Sequence, residues 1–212
     1  MNKNPSLQAA ILYDAVALGL KNKKIGRYNF RYRKKLKKFM EHLPKKGSVI
    51  DIGCGFGLEA AYLKRKGFLT YGIDVSSESI KIARQVNPNL IFIVDDLLNL
   101  EKYKILNPNG IHEHLSLMNL PKRSIKKVLG SIYRILPKGG IFQSSFEIIS
   151  DNKTGWHHIK TDKNNSIYYY LSFYSLPEIK KVLSSVGFQI IFSSVGREED
   201  KSSDIFTVLC KK

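Results

Sequence analysis

Three glycines in five residues, Gly53, Gly55 and Gly57, follow an apolar run and an acid in VIDIGCGFG, residues 49–57. A strand that ends in such a turn and passes into a helix presents unpaired backbone N–H groups and the positive end of a helix dipole, so the main chain itself can hold a polar ligand. Glycine permits the close approach. A dinucleotide fingerprint requires G-x-G-x-x-G, but Leu58 stands where its last glycine would be, and no Gly-Lys-Ser/Thr follows to make a phosphate-cradling loop. Asp51, two residues ahead of Gly53, would repel a pyrophosphate but suits a ligand whose ammonium must sit beside a carboxylate. Cys54 is read as a small residue that fits the turn and not as a nucleophile, since no histidine adjoins it and no CxxC partner exists.

Other side chains able to do chemistry sit at the ends of apolar runs. Asp74 closes LTYGID, and Asp95 and Asp96 close LIFIVDD. An acid there can bind a ligand's hydroxyls or amino group, or simply cap the next helix, and both readings stay open. His112, Glu113 and His114 are consecutive; on a strand from about Gly110 to Leu117, alternation would send the two histidines to one face and Glu113 to the other, so no metal site is expected. Tyr13, Trp156, His157 and His158 complete the candidates.

The elements that must position these residues alternate. Apolar residues at near-helical spacing from Ser6 to Leu20, and again from about Phe30 to Leu43, predict two helices ahead of the first strand. SVIDIG, LTYGIDV and NLIFIVDDL read as strands; LEAAYLKRKGF, ending at Gly67, and SSESIKIARQV, opened by Ser76 or Ser77, read as helices. A helix from about Lys122 to Leu136 stops at Pro137 and leads to the strand IFQSSFEI. Ser150 to Ser166 reads as polar and irregular; PEIKKVLSSVG is a helix; FQIIFSSVG and DIFTVLCKK are two closing strands. The expected fold is α/β, a Rossmann-like, doubly wound, mostly parallel seven-stranded sheet whose last two strands form an antiparallel edge pair.

Composition bounds the rest. At 212 residues and 43% hydrophobic content the chain suffices for one domain with a sizeable core. No secretory leader and no apolar run of membrane-spanning length is present, so a cytoplasmic protein without a membrane partner is expected. Cys54 and Cys210 are read as free thiols. The net charge of +17 is mostly lysine in a chain also rich in Asn and Ile, a bias that AT-rich coding DNA would produce unaided. What remains local is the basic run Lys21 to Lys38, interleaved with Tyr28, Phe30 and Tyr32, which is either a solvated helix face or a surface for nucleic acid.

VIDIGCGFG, YGIDVS, NPNLIFIVDDLLNL, RILPKGGIF and FYSLPEIKKVLSSVGFQII, in this order and spacing, resemble the class I S-adenosylmethionine-dependent methyltransferases, closest to the small-molecule branch with an N-terminal helical lid. The resemblance covers nearly the whole chain and implies one domain, 1–212, with a lid at 1–46, a cofactor-binding core at 47–150 and acceptor loop, helix and closing strands at 151–212. It implies S-adenosyl-L-methionine as cofactor, with Asp51, Gly53 and Gly55 at its methionine end, Asp74 on the ribose hydroxyls, Val75 on the adenine face, Asp96 in preference to Asp95 on the adenine amino group, and Leu97 as an apolar wall. Tyr13, in the lid beside Asp14, and His114, Trp156 and His158 are then candidates for the acceptor pocket. Where the family's fourth strand carries an acid and ends before a histidine, this chain has Asn109 and Asn119, and LPKGG inverts the usual order of its turn. The expectation is methyl transfer to a small molecule; an RNA methyltransferase using the basic run and a catalytically impaired cofactor-binding homologue are the alternatives.

Overall fold

The computed structural model describes residues 4–20, 33–148, 154–160, 166–197 and 204–212. Two helices, α1 (Pro5–Leu20) and α2 (Arg33–Glu41), precede the first strand. Strands β1 (Ser48–Ile52), β2 (Leu69–Asp74) and β3 (Ile91–Val94) alternate with helices α3 (Leu58–Arg65) and α4 (Ser77–Val86). After a run of 3-10 turns at Leu97–Leu106 come β4 (Gly110–Glu113), α5 (Lys122–Ile135) and β5 (Ile141–Ile148). Strands β6 (Gly155–Lys160) and β7 (Ser166–Leu171), helix α6 (Leu176–Val186), and strands β8 (Gln189–Arg197) and β9 (Asp204–Lys211) complete the described chain.

Among the described residues seven strands form one sheet in the order β3-β2-β1-β4-β5-β9-β8. The first five are parallel, β9 runs antiparallel to β5, and β8 antiparallel to β9 at the edge. The expected architecture is therefore the observed one. The order reverses at β1, between β2 and β4, which places a crevice at the C-terminal ends of those strands.

The sequence explains the element ends. Ser76 caps α4, its Oγ accepting the Ser79 N–H at 3.0 Å, and Ser175 with Glu178 forms a capping box on α6. Asn109, standing where an acid was expected, pins β4 to β1: its Oδ1 accepts the Ser48 N–H at 2.9 Å and its own N–H donates to the Ser48 carbonyl at 2.8 Å. One face of the sheet packs Ile50, Ile111, Phe142 and Phe206 against α5 and α6; the other packs Val49, Ile141 and Leu209 against Leu36 and Phe39 of α2 and Leu63 of α3.

Two expectations need correcting. The stretch Ser150 to Ser166 is not irregular where described: Gly155–Lys160 pairs antiparallel with Ser166–Leu171, Trp156 opposite Tyr170 and His158 opposite Tyr168, as strands rich in aromatic and β-branched residues do. Strand β4 stops at Glu113, because Leu115 takes a positive φ of 59°, which ends the extended run. His114 therefore lies past the strand, and alternation does not relate it to His112. Of the basic run, Lys21 to Tyr32 lies outside the described residues; from Arg33 it belongs to α2, whose Leu36 and Phe39 are fully buried while Lys37 is exposed. Among the described residues no helix is long and apolar enough to cross a membrane.

Candidate active site

A cavity of about 270 Å³ opens at the C-terminal ends of β1 to β4, near the lower end of the roughly 300–1,000 Å³ usual for small-ligand pockets. Gly53 and Gly55 of the turn after β1, Asp74 and Val75 at the end of β2, and Asp96 and Leu97 after β3 form one side of it. His114, Leu115 and Ser116 from the turn after β4 form the floor of another, with Asn119 and Leu120 beyond them. Helix α1 closes the remaining side with Ser6, Ala9 and Tyr13, which recur at i, i+3 and i+7 and so share one helical face.

The three turn glycines are required for different reasons. A Cβ on Gly53 would lie 2.1 Å from the Ser116 Cβ, and one on Gly57 2.4 Å from the Phe92 ring, whereas one on Gly55 would meet nothing within 4 Å and project into open space. All three adopt positive φ, 66°, 50° and 73° in order. Two glycines thus let neighbours pack closely and the third leaves the cavity beside it open.

Asp74 is 9% exposed and ties the turn together: its Oδ2 accepts the Gly55 N–H at 2.8 Å and its Oδ1 the Ser76 N–H at 2.9 Å. Burial pushes its carboxyl up, and those two N–H groups pull against the shift. A carboxylate offers about four acceptor sites, so each oxygen retains capacity for a ligand hydroxyl. Asp96 caps the 3-10 run, its Oδ1 accepting the Leu98 N–H at 2.9 Å, and lines the cavity. Asp95 does not line it. Its carboxylate instead holds Lys102 Nζ at 2.5 Å, Tyr103 OH at 2.5 Å and Asn99 Nδ2 at 3.1 Å.

Asp51 is also set back from the cavity wall, 2% exposed, with Oδ1 2.6 Å from His112 Nδ1. Its Oδ2 has no hydrogen-bond partner among the described residues. Cys54 is buried, and burial together with the Asp74, Asp51 and Glu59 charges pushes its thiol well up, so it stays protonated. Tyr13 is 37% exposed as a residue, and its hydroxyl accepts a hydrogen bond from Asn119 Nδ2 at 3.3 Å; burial raises its pKa. Trp156 and His158 lie on the exposed face of the β6–β7 pair and are not part of the cavity wall.

The structure thus brings together Gly53, Gly55, Asp74, Val75, Asp96, Leu97, Tyr13 and His114, and leaves Asp51, Trp156 and His158 outside the wall. Sequence reasoning missed Ser6 and Ala9, whose spacing with Tyr13 was a usable signal, and Ser116, whose contact with Gly53 has no local signal. It noted Asp14 beside Tyr13 but not its role: Asp14 accepts Ser76 Oγ at 2.6 Å and the Glu78 N–H at 3.0 Å and so fastens α1 to the first turn of α4.

These residues fit S-adenosylmethionine: two acids with spare acceptor sites at neighbouring strand ends, a backbone turn kept open at Gly55, and apolar Val75 and Leu97 beside the acids in the lining. Comparison with known proteins agrees. Residues 25–192 match the methyltransferase-domain family Methyltransf_23. "Putative methyltransferase YqeM" of Bacillus subtilis (strain 168) is 30% identical over 114 residues, 50% of this chain and 46% of that protein, so the match spans about half of each. Among solved structures, the 1,6-didemethyltoxoflavin-N1-methyltransferase of Burkholderia thailandensis, which holds 1,6-didemethyltoxoflavin and S-adenosylhomocysteine, superposes with a TM-score of 0.71 at 17% identity, covering 100% of this chain and 92% of that one. The [4+2]-cyclase SpnF superposes with a TM-score of 0.72 at 15% identity over 98% and 96% of the two chains, so the fold alone does not dictate the reaction. The family match, the sheet order and the glycine turn agree: the chain belongs to the methyltransferase-domain family and has the fold of the class I S-adenosylmethionine-dependent methyltransferases.

Proposed function

We propose that the chain transfers the methyl group of S-adenosylmethionine to a small-molecule acceptor. The observation that carries this reading is the composition of one cavity: the two acids Asp74 and Asp96 and the open turn at Gly55 share it with Tyr13, His114 and Asn119, under a wall made by α1. Asp74 would hold the ribose hydroxyls and Asp96 the adenine amino group, with Val75 and Leu97 against the ring; Gly53 and Gly55 would receive the methionine end, and Asp51 would support it from behind. When bound, the cofactor supplies a methyl carbon activated by its positive sulfur. The protein's own work is then to align the acceptor and exclude water.

Helix α1 is the lid in this reading. Asp14 fastens it to α4 and Tyr13 meets Asn119 across the cavity, so a ligand in place is walled from solvent on that side. Asn119 cannot take a proton, and Tyr13 holds its own tightly. This supports acceptors that are nucleophilic without deprotonation, such as amines, or acceptors whose proton passes to His114. A small acceptor is favoured over RNA because the cavity's described lining includes no lysine or arginine.

The test is label transfer from radioactive S-adenosylmethionine by the full chain to a fractionated pool of small metabolites and, separately, to total RNA. Label in the small-molecule fraction that vanishes with Asp74→Ala is expected. Label in RNA alone would overturn the reading.

A further inference from the structure

We propose that Glu113 is a positioning residue for this site: its buried carboxylate folds the turn after β4 and so sets Ser116 against the glycine turn. The inference rests on the cofactor site proposed above and adds a residue that lies outside the cavity wall. Glu113 is completely buried and its side chain gathers donors from two elements. Oε1 accepts the Ser116 N–H at 2.5 Å, Ser116 Oγ at 2.9 Å and the Leu117 N–H at 3.0 Å. Oε2 accepts Ser144 Oγ and, more weakly, the Ser145 N–H at 3.4 Å on β5. A buried carboxylate needs this many donors, and one that has them holds each donor in place.

What is held is the cavity wall. Leu115, at a positive φ of 59°, keeps a conformation that a leucine does not choose unaided, and its N–H reaches the Ser145 carbonyl at 3.2 Å. Ser116 then fills the space that Gly53 leaves by having no Cβ. From Ser116 the linkage runs on: its carbonyl accepts Asn119 Nδ2 at 3.1 Å, and the same nitrogen donates to Tyr13 OH at 3.3 Å. One carboxylate below the sheet ends thereby sets the glycine turn, the residues facing it and the contact to α1. Of the residues that the Glu113 side chain hydrogen-bonds, Ser116 lines the cavity, so its hold on the site passes through that serine.

The experiment is calorimetric titration of S-adenosylhomocysteine into the full chain, with each variant first shown by circular dichroism to be folded at the working temperature. Glu113→Gln keeps an oxygen at the length needed for Ser116 and Leu117; Glu113→Asp keeps the carboxyl group but draws it back by one methylene. Expected is affinity within about threefold of wild type for Gln and at least tenfold weaker for Asp, with Ser116→Ala about fivefold weaker. Leu183→Ala, a buried residue of α6 remote from the cavity, reports destabilisation alone and should bind normally. Wild-type affinity in both Glu113→Asp and Ser116→Ala, or equal losses in Leu183→Ala, would overturn the proposal. Should Glu113→Asp fail to fold, Ser116→Ala decides: unchanged affinity overturns it, a loss supports it. If wild type itself binds no S-adenosylhomocysteine, the cofactor reading falls, which is a different result from binding that ignores Glu113.

Discussion

His112 and Asp51 face each other on neighbouring parallel strands, Nδ1 2.6 Å from Oδ1, both shut from solvent just behind the glycine turn. Burial pulls His112 toward its neutral form, but the Asp51 charge and hydrogen bond outweigh it, and the pKa is raised above the usual histidine value. A histidine raised in the folded state stabilises fully below its unfolded pKa, about 6.5, and loses that stabilisation as pH climbs through the folded value. Removing one partner of a buried pair costs about 3–5 kcal/mol. His112→Ala should therefore lose several kcal/mol in urea unfolding at pH 6. The gap to wild type should narrow, not widen, toward pH 9.

This pair also marks what the sequence could disclose. The alternation of strands and helices, the cap at Ser76 or Ser77 and the glycine turn are local signals, read from periods and turn residues. Asp74 and Asp96 were legible because they end apolar runs. Asp51 was equally legible as an acid, yet its partner lies 61 positions away, and only strand pairing brings them together. The same holds for Glu113, 31 residues from Ser144, and for Asp14, 62 residues from Ser76. Trp156 and His158 were expected on a loop near the acceptor because a strand pair with polar flanks has little apolar alternation. Long-range polar contacts leave no period in a chain, so the side chains that join elements were the ones least visible.

Asp74 both lines the cavity and ties the glycine turn. If its spare acceptor sites hold a hydroxyl pair, losing a charge-assisted bond costs about 1.5–3 kcal/mol. Asp74→Ala should weaken S-adenosylhomocysteine binding by roughly ten- to a hundredfold in calorimetry, and part of that loss should come from releasing the Gly55 N–H. An affinity within twofold of wild type would remove Asp74 from the site.

Asp14 does for α1 what a capping residue does for its own helix. It accepts Ser76 Oγ and the Glu78 N–H at the positive end of α4, a placement worth about 1 kcal/mol. Asp14→Ala should unfold with about that much less stability. Since α1 walls the cavity, S-adenosylhomocysteine should also leave faster, by roughly fivefold for 1 kcal/mol. Stopped-flow dissociation measures this directly, and an unchanged rate would mean that α1 does not gate release.

Asp95 and Asp96 are adjacent but should respond oppositely. Burial pushes the Asp95 carboxyl up, yet Lys102, Tyr103, Asn99 and the Asp96 N–H together hold it down at about 2. A depressed acid stabilises above its unfolded pKa, near 3.8, and the contribution drains away as pH falls through the folded value. With Lys102 more than half exposed, solvent screening leaves about 1–2 kcal/mol of this at neutral pH. Asp95→Asn should therefore lower stability at pH 7 by that amount, with the difference shrinking between pH 4 and 2, while cofactor affinity stays as in wild type because Asp95 does not line the cavity. Asp96→Asn should do the reverse in binding, weakening S-adenosylhomocysteine severalfold, since an amide in place of the carboxylate loses the charge-assisted contact to an amino group. Matching affinities in the two variants would show that neither carboxylate meets the ligand, and would move the adenine contact elsewhere along the wall.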